Sequence, residues 1–207
     1  VKLSEEFEQR LTQRSTTTSQ NSTYIAIEYL SEHPTDTTVQ TLISMLTTPD
    51  GYARGFQYLA IDALAILKAE SAIGPIADRF LGPDYDFATL AGALTQIGTK
   101  DAYAALRGAY LASPDTLPDQ IVTQKQTEIL KSLIKSENDD ARRLLIELFE
   151  SDQVFGDSNK LLVAYHLSTF GNAKAEEVLN VMRGVNKAPQ DAAQRALDDL
   201  FGPQGST

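Results

Sequence analysis

Hydrophobic residues recur along this chain at the three-to-four-residue spacing of amphipathic helices. A segment of small and aliphatic residues near the end of a helix occurs six times along the chain. Its marker residues are Leu30, Leu64, Leu94, Leu130, Leu167 and Leu197, and the gaps between successive leucines run from 30 to 37 residues. A period in this range is typical of solenoids built from helical pairs. Because no segment alternates apolar and polar residues as a strand does, the pattern predicts an all-α fold.

Breaks in the apolar periodicity predict where the individual helices lie. The first helix carries Leu3, Phe7 and Leu11, and a Ser/Thr-rich loop follows it. Further helices are predicted over residues 21–32, 36–46 (capped by Asp36), 53–68, 71–81, 85–97, 100–111, 120–135, 139–150, 158–170 and 173–185, with a last one between 189 and 202. Gly98 and Gly171 are expected to end their helices, because glycine readily adopts the left-handed conformation of a C-terminal cap. Residues 113–119 form the longest irregular stretch and are a candidate hinge or binding loop.

We expect one repeat domain over residues 1–207. It consists of an N-terminal capping helix and loop (1–20), repeats (21–202) and a frayed tail (203–207). Since each repeat of a solenoid packs on its neighbours, such a chain needs no second core.

Three stretches carry a resemblance to a known repeat family: residues 67–76, 91–106 and 165–175. They resemble HEAT-type repeats, in particular the short bacterial variety also called PBS-lyase-like repeats, and the likeness spans residues 21–202. The resemblance implies a right-handed α-α superhelix of about five to six helical pairs, whose second helices line a concave binding face. The family's Asp and Arg ladder is approximated once, by Asp50 and Arg54. Asp84, Asp157 and Asp191 lack the matching arginine, which predicts an irregular stack.

The composition disfavours two classes of partner. The net charge is −10, and the excess of acids is spread along the chain without a cluster of Lys and Arg. Nucleic acids and anionic membrane surfaces are bound through such basic clusters, so neither is an expected partner. The chain has no cysteine, which excludes disulfides, thiolate catalysis and cysteine-ligated metals.

Targeting signals are equally sparse. No apolar run approaches the ~18 residues of a membrane-spanning helix, so membrane insertion is not expected, and no signal peptide is visible. Because the chain begins with Val1 rather than Met, we expect that an upstream segment was removed. The location is open between the cytoplasm and an exported compartment.

Catalytic chemistry is not indicated by any motif. The chain lacks phosphate-binding, nucleophile-elbow and zinc-protease motifs. Its adjacent acids, Asp139-Asp140 and Asp198-Asp199, would point about 100° apart on a helix, so they read as capping or solvated residues. His33 suits a helix C-terminus, and neither it nor His166 has a partner at metal-ligand spacing. We therefore expect no enzymatic activity, no metal and no cofactor.

The candidate contact residues are tyrosines and polar side chains on the predicted second helices. Tyrosine is enriched at binding hot spots, although these tyrosines can equally pack between repeats with the hydroxyl at the rim. Tyr103 is another tyrosine on such a helix face. The polar positions can equally form an ordinary solvent-exposed face without a binding role. The predicted partner-binding set is Arg54, Gln57, Tyr58, Asp62, Tyr85, Lys125, Glu128, Tyr165 and His166.

The resulting functional hypothesis is a protein–protein interaction scaffold that binds an unknown partner along its concave face. An alternative is a chromophore-handling protein, because some HEAT-like proteins resemble bilin lyases; this alternative requires a deep apolar groove. A DNA repair glycosylase, known from another HEAT-like group, requires a basic groove with aromatic stacking. The charge of −10 and the absence of tryptophan argue against it.

Overall fold

The computed structural model describes residues 35–47, 54–82, 86–113, 117–182 and Arg195, and every regular element in these ranges is helical. The helices are α1 (Asp36–Thr47), α2 (Arg54–Ile66), α3 (Ile73–Arg79), α4 (Phe87–Ile97), α5 (Lys100–Leu111), α6 (Asp119–Lys135), α7 (Asp139–Glu150), α8 (Asp157–Ser168) and α9 (Ala173–Met182). A 3₁₀ turn, Glu70–Ala72, precedes α3. The predicted all-α fold is confirmed for this part of the chain. The helices predicted before residue 35 lie outside it, as does His33. Of the predicted last helix only Arg195 is described, and it is helical.

Two compact units divide the chain, Val1–Ala105 and Leu106–Thr207. In the first unit, α2 packs against α1 and α4, and α3 packs against α1 and α4. In the second unit, α8 packs against α6, α7 and α9, and α6 also packs against α7. In each unit, consecutive helices pack against each other, and so do helices that are separated by one intervening helix. The single repeat domain and the superhelix stay predictions.

The described core of the first unit combines large aliphatic and aromatic residues with a set of alanines. The helices α2 and α4 pack against each other, and both carry buried alanines: Ala60, Ala63, Ala65, Ala91 and Ala93. Small side chains allow two helix axes to approach closely. The rings of Phe80 and Phe87 lie nearly parallel, with centroids 6.0 Å apart, and they fix the end of α3 against the start of α4.

The second unit has a core of larger aliphatic residues that also encloses three polar side chains. On α6, the buried apolar residues are Ile129, Leu130, Leu133 and Ile134. Lys125, Gln126 and Asn159 are buried among such residues. Thr127 Oγ1 on α6 lies 3.1 Å from Asn159 Oδ1 on α8. Because buried polar groups must find partners, these contacts specify how α6 meets its neighbours.

The start of α1 differs from the prediction. Thr35, not Asp36, caps the helix, because Thr35 Oγ1 accepts a hydrogen bond from Thr38 N at 3.1 Å. Asp36 is instead the first helical residue, where a carboxylate favours the positive end of the helix dipole.

Left-handed residues end α2, α4, α7 and α8. Gly171 (φ 72°) closes α8, and Asn172 N donates to Leu167 O at 3.3 Å. Gly98 (φ 72°) closes α4, so both predicted glycine caps are confirmed. Lys68 (φ 50°) and Asp152 (φ 55°) play the same part without being glycine. Since Lys68 ends the helical course early, α2 stops at Ile66 rather than at the predicted residue 68.

Candidate functional site

Gln57, one of the predicted contact residues, is buried and serves the packing of the first unit. Arg79 on α3 donates from Nη2 to Gln57 Oε1 at 2.9 Å and from Nη1 to Leu46 O at 3.1 Å. Arg79 therefore ties α3 to α2 and to the C-terminal end of α1. Arg54 is the first residue of α2, but its side chain and the whole of Tyr85 lie outside the described residues.

The exposed face of α2 carries two other predicted residues. Tyr58 is partly exposed, and Asp62 and Ile66 follow at intervals of four residues on the same face, both exposed. Partial burial of the carboxyl group raises the pKa of Asp62, and the negative charge of Asp86 raises it further. Asp86 caps α4 by accepting from Thr89 N at 3.2 Å. This face thus combines an aromatic, an aliphatic and an acidic side chain.

Lys125 lies in the interior rather than on a surface. Its side chain is 0% exposed, and its Nζ donates to Ala112 O, at the C-terminal end of α5, at 2.6 Å. The adjacent Gln126 donates from Nε2 to Tyr110 O at 3.2 Å. Burial lowers the pKa of Lys125, because removing an ammonium group from water disfavours its charged form. Lys125 and Gln126 together satisfy carbonyls at the end of the preceding helix.

Glu128 is half-buried one turn further along α6. Its Oε1 forms an ion pair with Lys131 Nζ at 3.1 Å on the same helix. The pair is closed within α6, so it links no two helices.

Tyr165 and His166, on α8, are both partly exposed, and His166 belongs to a cluster that spans two elements. The rings of Phe170 and His166 form a T-shaped pair, with centroids 5.2 Å apart and planes inclined by 69°. The guanidinium of Arg142, on α7, lies 4.3 Å from the centroid of the Phe170 ring. Phe170 itself is 52% exposed. We call Arg142, His166 and Phe170 the Phe170 cluster.

The electrostatics of the Phe170 cluster leave one cation at the ring near neutral pH. Burial lowers the pKa of His166, and the positive charge of Arg142 lowers it further. His166 is therefore neutral at pH 7. Arg142 Nη1 also lies 3.2 Å from Asp139 Oδ1, which holds the guanidinium beside the ring.

The turn after α8 is attached to the end of α7 by polar contacts. Asn172 Nδ2 donates to Glu150 Oε1 at 3.3 Å. Lys174 Nζ donates to Glu150 O at 2.9 Å and lies 3.3 Å from Asp152 Oδ1. A cation at the C-terminal carbonyls of a helix is favoured by the helix dipole. Together with the left-handed Gly171, these contacts position Phe170.

Arg142 and Phe170 are the two members of the cluster that sequence reasoning missed. A signal for Phe170 exists, because it is a large aromatic directly before a predicted capping glycine. No pattern signals that Arg142, 28 positions away, would meet it.

An open depression of about 310 Å³ lies in the second unit, lined by Ser168, Glu176, Leu179 and Asn180. Three of these four side chains are polar. The depression therefore does not provide the deep apolar groove that a chromophore-handling protein requires.

Among the described residues, no three His, Asp or Glu side chains are grouped so that they could hold a metal ion. In the same ranges, no helix is both long enough and apolar enough to cross a membrane.

The Phe170 cluster supplies an aromatic face, a guanidinium and a neutral imidazole, which are groups suited to recognition.

Comparison with models of protein families, with curated proteins and with solved structures gave no match. The HEAT-like resemblance of the repeated segments therefore stays a prediction from the sequence.

Proposed function

We propose that this chain is a non-catalytic scaffold of HEAT-like helical repeats that binds a partner protein, and that the Phe170 cluster forms part of the binding surface. The observation that carries the proposal is a half-exposed phenylalanine that contacts an arginine and a histidine. Aromatic and arginine side chains dominate the energetics of protein interfaces because they bury large areas with few rotatable bonds. An exposed aromatic that the fold holds in place is a ready anchor for such an interface.

The helix packing within each unit supports the repeat architecture. In the first unit α2 packs against α4, and in the second unit α6 packs against α8. These are the helices that the sequence assigns to the second position of each pair. The outer face of α2 in the first unit and the outer face of α8 in the second unit are, each by itself, candidate contact surfaces of such a repeat.

The predicted contact residues then divide into two roles. Four of them are partly or fully exposed and can contact a partner: Tyr58, Asp62, Tyr165 and His166. Gln57 and Lys125 are buried, so we assign them to holding the helices in place. Arg54, Tyr85 and Glu128 keep their predicted place in the contact set.

A photo-crosslinking experiment tests the proposal. Phe170 is replaced by the photoreactive p-benzoylphenylalanine, and the protein is irradiated in a lysate of the source organism. A matched control carries the same group at Phe155, which is equally exposed at 51%. We expect a discrete crosslinked protein from position 170 that is missing from position 155. The same products from both positions would contradict the proposal.

The partner obtained in this way permits a quantitative check. Phe170→Ala should weaken its binding by about 10-fold or more, as expected for truncation of a hot-spot aromatic. Val181→Ala, which trims a side chain that is 63% exposed elsewhere in the same unit, should leave binding unchanged. If the protein turns over a small molecule, and a single substitution in the Phe170 cluster abolishes this turnover, the assignment as a non-catalytic protein is wrong.

A further inference from the structure

The Phe170 ring contacts Arg142, which is always positively charged, and His166, which is positively charged only when it is protonated. Arg142 places its guanidinium 4.3 Å from the ring centroid, and the His166 ring forms a T-shaped pair with Phe170 at a centroid distance of 5.2 Å. While His166 is neutral, the ring contacts a single charge. When His166 takes up a proton, two like charges lie at one ring in a partly exposed site and repel each other.

We propose that the Phe170 cluster is an acid-sensitive latch: protonation of His166 drives Arg142 away from the Phe170 ring and loosens the turn between α8 and α9 from α7. The guanidinium of Arg142 can turn from the ring into water, because the Arg142 side chain is 37% exposed. This inference concerns the fold of one turn, so it does not depend on which partner the surface binds.

Of the charged groups on the helices that pack against α8, Arg142 is the one whose charge shifts the pKa of His166. Besides the groups named below, these helices carry Asp140, Arg143, Glu147 and Glu150 on α7, Asp119, Lys125 and Lys135 on α6, and Lys174 and Glu177 on α9. On α7, Arg142 is the cation that acts on His166, and Asp139 partly neutralises it. On α6, Glu128 and Lys131 neutralise each other at 3.1 Å. On α9, Glu176 lines the depression next to Ser168. Repulsion from Arg142 is therefore the interaction that changes most when His166 becomes charged.

The other contacts that tie the turn and the start of α9 to the end of α7 are polar or involve Lys174. Asn172 to Glu150 Oε1 (3.3 Å), Lys174 to Asp152 (3.3 Å) and Lys174 Nζ to Glu150 O (2.9 Å) are exposed contacts, which contribute little against competing water. Lys174 Nζ also donates to Phe149 O at 3.4 Å in a part-buried contact and lies 5.9 Å from the centroid of the Phe149 ring. Phe170 supplies the aromatic contact between the turn and α7. Its release should leave the amides of Gly171 and Asn172, which close α8, less protected.

Thermodynamic reciprocity gives the latch a direct test. If a proton on His166 weakens the Arg142 contact, then removing Arg142 must favour the proton on His166. Arg142→Gln should consequently raise the pKa of His166 towards the ordinary histidine value. When the pH is below the ordinary pKa of histidine, His166 binds fewer protons in the folded chain than in the unfolded chain. The stability that comes from neutral His166 is therefore lost as the pH falls.

The experiment uses the fact that the chain has two histidines and no tryptophan. In the His33→Gln background, proton NMR follows His166 alone between pH 4.5 and 8 (about two units on either side of the ordinary pKa). Phe170→Trp then places a single fluorophore at the latch. We expect its emission to change with the midpoint of the His166 titration. In the matched variant that also carries His166→Gln, the emission should be flat over this range.

Hydrogen exchange on the unsubstituted chain provides the second measurement, because the introduced tryptophan could itself disturb the turn. We expect the protection factors of the Gly171 and Asn172 amides to fall by about fivefold or more when His166 is protonated, the lower end of typical coupling. The amides that close α4 serve as controls and should not change. The proposal would be overturned if His166 titrates while the fluorescence of the Phe170→Trp variant and the protection of these amides stay constant. An Arg142→Gln variant with an unchanged His166 pKa would overturn it as well.

Discussion

Phe155 and Phe170 are the same residue at nearly the same exposure, 51% and 52%, in the same unit, yet their surroundings differ in kind. Phe155 stacks on the fully buried ring of Tyr110, with centroids 6.3 Å apart and planes inclined by 17°. Its backbone N also donates to the Tyr110 hydroxyl at 3.3 Å. Phe170 instead meets a guanidinium and an imidazole. Exposure alone thus does not separate a structural aromatic from a candidate contact.

The residues around Tyr110 and those around Phe170 differ in the same way as the two phenylalanines. Around Tyr110, the carbonyls of Tyr110 and Ala112 are satisfied by the buried side chains of Gln126 and Lys125. We call Tyr110, Lys125, Gln126 and Phe155 the Tyr110 anchor. Around Phe170, the polar contacts come from partly exposed groups such as Lys174 and Asn172. Buried polar networks resist change, whereas exposed ones yield to water, salt and pH.

The largest effect is expected from the buried lysine of the Tyr110 anchor. Lys125→Ala should lower the free energy of unfolding by about 3 kcal/mol, because it opens a cavity and leaves Ala112 O without its donor. Lys125→Met keeps most of the volume and removes the buried charge, so it should cost only about 1 kcal/mol. Urea denaturation at pH 7 measures both. Equal losses from the two variants would show that the hydrogen bond, and not the packing, is what matters.

Alkaline pH should act on the Tyr110 anchor through its hydroxyl group. Burial raises the pKa of Tyr110 to about 12, although the hydrogen bond from Phe155 N lowers it slightly. The folded chain therefore retains a proton that the unfolded chain loses. Stability is full below pH ~10 and falls by about 2–3 kcal/mol as the pH approaches 12. Tyr110→Phe should lack this loss in denaturation curves compared with those of the parent chain. A variant that loses as much as the parent would contradict the assignment.

Truncating the two exposed phenylalanines compares the regions directly. Phe155→Ala should cost about 2 kcal/mol, since it removes a stack on a rigid buried ring. Phe170→Ala should cost about 1 kcal/mol or less, because a partly exposed cation–π contact contributes little. Thermal denaturation at pH 7 ranks them. A larger loss from Phe170→Ala would reverse the comparison and make Phe170 the structural residue.

The smallest effect is expected from the exposed lysine beside the Phe170 cluster. Lys174→Met should cost about 0.5–1 kcal/mol at low salt, the contribution of a cation at a helix C-terminus. In 1 M salt, where the Debye length is about 3 Å, the difference should shrink towards zero. The effect of Lys125→Met should be the same at both salt concentrations. A salt-independent loss for Lys174→Met would place that lysine with the buried network.

The sequence predicts the helices best where the start of a helix is marked locally. For α5 and α7 the predicted ranges coincide with the observed Lys100–Leu111 and Asp139–Glu150. Gly98 closes the helix before α5, and Asn138 caps α7 by accepting from Asp140 N at 2.8 Å. Such signals act over a few residues, which is why they can be read without the fold.

The predicted boundaries fail where the decisive residue is not the usual one. Lys68 adopts a left-handed conformation without being glycine, so the end of α2 carries no signal. The predicted helix from Ser71 becomes a 3₁₀ turn followed by α3 at Ile73. Pro75 has no N–H to donate to the carbonyl of Ser71, which prevents the α-helix from starting there.

Side-chain roles are harder to predict than helices. Lys125 lies on the stripe of Ile129 and Leu133 at intervals of four residues, so its burial is visible in the periodicity. Its polar character nevertheless suggests a contact residue. The meeting of Arg142 and Phe170 depends on how α7 crosses the end of α8, and no local pattern encodes this long-range packing.

The most direct test of the account is the affinity of the crosslinked partner for three proteins by titration calorimetry: the parent chain, Phe170→Ala and Phe155→Ala, each with its helical content verified by circular dichroism. The account predicts that Phe170→Ala binds about 10-fold more weakly or worse, and that Phe155→Ala, though less stable, binds as the parent does. Equal affinities for all three proteins, or a loss confined to Phe155→Ala, would contradict the assignment of the Phe170 cluster as the binding surface.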